Sequence, residues 1–112
     1  MTGLVLALYL ATAACVGFAP GEEPKPPKVK IITTRDGLVP CPWHEAKRCH
    51  GKYTVRGRHR IVTATYETVD AVLAHEFIHH LLRFWVGTYD GEHSRPEWAC
   101  QSLRLGDRHE TD

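Results

Sequence analysis

Little in this sequence argues for a large or a nucleic-acid-binding protein. At 112 residues the chain is long enough for one small domain and too short for two. A formal net charge of +1 and the lack of any long basic stripe leave nucleic-acid binding without compositional support. No two cysteines stand in a Cys-x-x-Cys pair, so a zinc site built from thiolates is not expected. Internal repeats are absent. The apolar N-terminal run, Leu4 to Ala19, is about 16 residues, short of the roughly 20 that a transmembrane helix needs. Histidine, by contrast, is abundant: eight residues, three of them in "HEFIHH" at 75–80. Clustered histidine points to metal or proton chemistry.

Within the N-terminal run, Leu4 to Ala14 is an apolar stretch ending in small residues, "ATAAC", and reads as a secretory h-region followed by a cleavage site. Cys15 after "TAA" also resembles a bacterial lipobox, in which the cysteine is lipidated, although Thr12 stands where that pattern has Leu. Residues 1–19 are therefore expected to be an export segment, with a membrane tether through Cys15. Residues 20–28 form a linker. Its core, "GEEPKPPK", is half Gly and Pro and otherwise charged, and cannot bury a core. The folding unit is then 29–112, small enough to need a staple. Export makes disulfides possible. With Cys15 set aside, Cys41–Cys49 is the favoured pair, and a pair with Cys100 is the alternative.

Three short β-branched stretches read as strands: 29–34, 51–55 and 60–66. Asp36-Gly37 marks a turn after the first. The third stretch alternates, Ile61, Thr63 and Thr65 against Val62, Ala64 and Tyr66. The period then changes. Val69 to Trp85 holds no Gly or Pro, its apolar residues recur at helical spacing, and Gly87 lies just past its end, which predicts a helix. Ser94 and Glu97 have capping-box spacing and Pro96 suits a first helical turn, so a second, short helix is expected there. The fold class is α+β: a short antiparallel or mixed sheet, a long helix and a short C-terminal helix.

The long helix carries the chemistry. His75-Glu76-x-x-His79 puts two imidazoles about 40° apart around the axis and about 6 Å apart along it, so both can converge on one ion. Glu76 lies on the flank of that face. A metal ion lowers the pKa of bound water from 15.7 to roughly 7. Glu76 then suits the general base that takes the proton and returns it to a leaving amine. One further ligand is needed, with a position left open. The metzincin pattern would put it at position 85, which is Trp85. Asp90 and Glu92 lie on the loop beyond, Glu97 stands 18 positions after His79, and His93 stands 14 after it.

The stretch "HEFIHHLLRFWVGTYDGEHSRPEW" resembles the SprT-like zinc metallopeptidase family. That family reads His-Glu-x-x-His, a loop, then His-Gly-Pro-Glu and an aromatic. His75, Glu76 and His79 match the first part, and His93, Pro96, Glu97 and Trp98 match the second. "HSRPEW" is one residue longer than the family's "HGPEW". The resemblance covers about 25 residues and does not extend to a cysteine-rich zinc ribbon. It implies zinc held by His75, His79 and His93, with Glu76 as catalytic base and a peptide or protein as substrate. The DNA-linked role of some relatives is not carried over. Glu97 is then expected to cap its helix or orient a ligand.

For the remaining candidates simpler readings suffice. His44, His50, His59 and His109 are expected at the surface. His80 points about 100° away from His79, with oxyanion stabilisation as a lesser alternative. Tyr89 and Arg95 lie near the predicted ligand and could polarise a carbonyl. Trp43, Trp85 and Trp98 read as core anchors. The strand ahead of the helix, or Lys52 to Val55, could pair with an extended substrate. The expectation is an exported zinc peptidase. Its rivals are a non-catalytic zinc-binding lipoprotein of the same fold and an amide hydrolase acting on cell-wall peptides.

Overall fold

The chain order is α1 (Gly3–Val16), β1 (Lys28–Ile32), β2 (Val39–Cys41), β3 (His44–Cys49), β4 (Gly51–Arg56), β5 (His59–Thr65), α2 (Val69–Trp85) and a 3-10 helix (Pro96–Ser102). This is a computed structural model that describes residues 3–88 and 90–105. Three helices and a mixed sheet give the expected α+β class.

The main sheet has the order β1-β5-β4. β1 runs parallel to β5, from Lys28 opposite Ile61 to Ile32 opposite Thr65. β4 runs antiparallel to β5, from Gly51 opposite Ala64 to Arg56 opposite His59. The hairpin closes in two residues, and Gly57 takes a φ of 60° that a primed turn demands of its first central residue. β5 is thus the central strand. Val62, Ala64 and Thr65 are fully buried and Thr63 nearly so. Its threonines do not mark a solvated face: Thr65 Oγ1 donates to Gly37 O at 2.7 Å. Both edges of β5 are hydrogen-bonded, so it cannot take up a substrate strand, and only β4 keeps that candidacy at the sheet edge.

β2 and β3 form a separate antiparallel hairpin with a register shift at Pro40/Cys41, closed by the expected Cys41–Cys49 disulfide. Neither strand carries β-branched alternation: one is "VPC" and the other "HEAKRC". A bidentate Arg48–Asp36 pair, 2.8 and 2.9 Å, links β3 to the turn after β1.

α2 spans the predicted residues. It buries Leu73, Phe77, Ile78, Leu81 and Leu82 completely, because neighbours cover it on several sides: the sheet, the 3-10 helix and α1. Thr68 stands at its N-cap position without a side-chain cap; its Oγ1 donates to His50 O instead, at 2.8 Å.

α1 departs most from the expected organisation. The run expected to stand outside the fold is a 14-residue helix lying on α2. Tyr9 and Thr12 are fully buried, and the Tyr9 ring meets Phe77 edge-on at 5.2 Å. An all-apolar helix suits either a core or a lipid environment, and composition does not separate the two. Among the described residues, no helix is long and apolar enough to cross a membrane. Cys15 is disulfide-bonded to Cys100, 85 positions away. Cys15 therefore belongs among the paired cysteines, contrary to expectation, and the same sulfur cannot also carry a lipid. In the chain-entropy picture a cross-link spanning so much chain stabilises by about 4.6 kcal/mol. The 20–28 segment is also not a free tether. Tyr9 donates to Pro24 O at 2.6 Å, His80 Nε2 to Lys25 O at 2.9 Å, and Pro27 is buried.

Candidate metal centre

His75 and His79 sit one turn apart on the face of α2 that packs against the 3-10 helix. His93 reaches the same place from the loop. The three rings stand 4.9 to 5.1 Å apart, centroid to centroid. One donor nitrogen from each lies within 4.8 Å of the others, so these three residues could hold a metal ion. Imidazole nitrogens at about 2.0–2.1 Å from a tetrahedral ion stand about 3.3 Å from one another. His75 Nε2 and His93 Nε2 are 3.2 Å apart. The residues present therefore fit such an ion, and two neutral lone pairs at that distance would repel without a proton or cation between them.

His75 is oriented from behind. His75 Nδ1 donates to Gln101 Oε1 at 2.9 Å, which leaves the Nε2 lone pair facing His93. Burial holds His75 below the ordinary imidazole pKa, helped by the nearby His93 and opposed by the Gln101 bond. That favours the neutral, ligating form. Trp98 is buried and lies against all three rings, 4.6 to 4.7 Å between centroids. It forms an apolar floor that keeps water from the rear of the site.

Asp90 holds the loop that delivers His93. Its carboxylate accepts from the backbone N–H groups of Ser94 and Arg95 at 2.8 and 3.1 Å, from Ser94 Oγ at 3.1 Å and from Trp98 Nε1 at 2.7 Å. Burial would raise this carboxyl, but those bonds more than offset it and hold it below its usual value. Asp90 and His93 both adopt left-handed backbone, φ 53° and 55°, and His93 N donates to Asp90 O at 3.0 Å. Non-glycine residues take that conformation only when local bonds compensate. Asp90 thus ties down the loop and does not join the three donors.

Glu76 lies one residue beyond His75 and is only 5% exposed. Burial pushes its carboxyl up to about 8. Its stem packs against the start of β4, where a Cβ added at Gly51 would sit 3.4 Å from Glu76 Cγ. Glycine there gives Glu76 room beside the edge strand.

Several other expectations change. Glu97 is engaged by Arg95 in a bidentate pair at 3.0 and 3.1 Å, and this pair lowers its pKa. It is neither ligand nor cap, and the same contact occupies Arg95. The 3-10 helix starts after Arg95 with no side-chain cap, because Ser94 is bound to Asp90; Pro96 does occupy its first turn. Glu92 is exposed on the loop and is not among the grouped donors. His80 is buried between Tyr53 Oη at 3.0 Å and Lys25 O at 2.9 Å, a structural strut and not an oxyanion donor. Burial depresses its pKa to about 4. Trp43 is exposed and Trp85 partly so; only Trp98 is a core anchor. His44, His50 and His59 are at the surface. Tyr89 and His109 lie outside the described residues.

Gln101 escaped sequence reasoning because it lies 26 positions from the ring it holds. Replacing it by Ala is expected to weaken metal binding roughly 10- to 100-fold with the fold retained, as measured by competition against a chromophoric chelator. Unchanged affinity would show that the bond does not orient His75.

No protein-family model, characterised protein or solved structure matches the chain.

Proposed function

We propose that the protein is an exported, zinc-dependent peptidase with the catalytic core of the SprT-like type. One observation carries the reading: two imidazoles from one helix turn and a third from a separate loop bring their donors within 4.8 Å, and the residue that follows the first of them is a buried glutamate. His75, His79 and His93 would hold the ion. Three neutral imidazoles with a position left open suit zinc among the common divalent metals. When bound, the ion supplies Lewis acidity toward a carbonyl and acidifies water.

The rest is done by the chain. Glu76 accepts the proton of the attacking water on a carboxylate oxygen and returns it to the departing amine nitrogen. A nearby cation favours its ionised form, opposing the effect of burial. Trp98 keeps water from the back of the site. An extended substrate pairs with the outer edge of β4, whose first residue adjoins Glu76. Main-chain pairing of this kind makes little demand on substrate sequence. The two disulfides support an oxidising compartment.

The test is hydrolysis of casein by zinc-loaded protein, with peptidoglycan fragments in parallel. Casein cleavage is expected to disappear after dialysis against a chelator and to return with zinc. Cleavage that persists after metal removal, or confined to the cell-wall fragments, overturns the peptidase reading.

A further inference from the structure

A cavity of about 620 Å³ opens where the start of β1, the β4–β5 hairpin and the C-terminal half of α2 meet. None of the three metal-site histidines lines it. Its size falls within the roughly 300–1,000 Å³ of small-molecule sites. Lys25, Lys28, Arg58 and Arg60 all border it, and no carboxylate does. The topology forces this convergence. Lys28 stands opposite Ile61 in the parallel ladder, Arg58 sits in the hairpin turn, and Lys25 is held to α2 by the bond from His80 to its carbonyl. Like charges gathered around a concave, partly apolar surface repel one another and focus a positive potential into it.

Of the four cations only Arg60 is partly buried. Arg60 donates through Nη1 to Gly57 O at 3.2 Å, but its Nε is buried and has no hydrogen-bond partner among the described residues. A buried donor without an acceptor is costly, most of all on a charged group. Ile61 and the half-exposed Phe84 also line the cavity and give it an apolar part.

We propose that this cavity binds a small organic anion, its phosphate or carboxylate head held by Arg60, Arg58 and Lys28 and its apolar part laid against Ile61 and Phe84. A guanidinium fork matches either head bidentately. The site does not depend on the peptidase reading, because it shares no residue with the metal centre.

Calorimetric titration of the full-length, metal-loaded protein at low ionic strength tests it, with phenyl phosphate, benzoate, inorganic phosphate and phenol as probes. One-to-one, saturable binding of phenyl phosphate or benzoate is expected, and which binds tighter identifies the head group. Phenyl phosphate should bind roughly tenfold tighter than inorganic phosphate, since only it uses the apolar part of the cavity. Arg60→Gln should weaken binding roughly tenfold or more, without changing zinc content. Equal binding of phenol, uptake without saturation, or unchanged affinity in folded Arg60→Gln overturns the proposal. If that variant does not fold, the exposed pair Arg58→Gln with Lys28→Gln decides: tenfold weakening supports the site, and unchanged affinity rejects it.

Discussion

Glu76→Gln is expected to retain zinc and to lose peptide hydrolysis by a factor on the order of a thousand. The amide matches the carboxylate in volume, so the buried position beside Gly51 stays filled. What disappears is the ability to accept and return a proton, which supplies about 10²–10⁴ in rate. Zinc content beside turnover separates the peptidase from a non-catalytic zinc protein of the same fold. A purely structural site needs no base at residue 76, and hydrolysis as fast as the parent's would reject the mechanism. The metal-free proteins offer an independent reading. The folded carboxyl titrates at about 8 against an unfolded value of 4.5, so the native state carries the extra proton between those limits. Its stability contribution is complete below the unfolded value and is lost as pH rises through the folded one. Metal-free Glu76→Gln should therefore show a flatter melting temperature than the parent from pH 5 to 8, by circular dichroism.

Loss of His93 should empty the site. Removing a group that only orients a ligand weakens binding roughly 10- to 100-fold. Removing the donor itself should exceed that, taking His93→Ala to substoichiometric zinc by elemental analysis and abolishing casein cleavage. The fold should persist, because the side chain is exposed and the loop is held by Asp90. Backbone strain could confuse this result, since His93 has positive φ and alanine adopts that conformation poorly. His93→Gly removes the ligand and relieves the strain together. If glycine restored zinc where alanine lost it, loop geometry and not the imidazole would be responsible, and His93 would cease to be a ligand.

The legible parts of this protein are those governed by neighbours in the chain. α2 is readable to its ends because seventeen residues keep one helical period without Gly or Pro. β4 and β5 are readable from their β-branched residues. His75 and His79 share a face for the same local reason, and His93 is singled out only through its resemblance to a known pattern. β2 and β3 are not legible: a proline and charged residues mask them, and what holds them together is their mutual pairing and a disulfide. Asp90 reads as an acid on a loop, but the hydrogen bonds that give it a role come together only once Trp98 folds back over it.

Helical and strand periods, the His-Glu-x-x-His face and the α+β class rest on short-range sterics and on the spacing of side chains along a regular backbone, and both are written in consecutive residues. The docking of α1, the Cys15–Cys100 bond, the Gln101 prop behind His75 and the ring of cations near Arg60 depend on segments that meet only after the chain closes on itself. An apolar helix has no feature of its own that says which surface will cover it, and a glutamine none that says which imidazole it will hold; only the packed core chooses those partners.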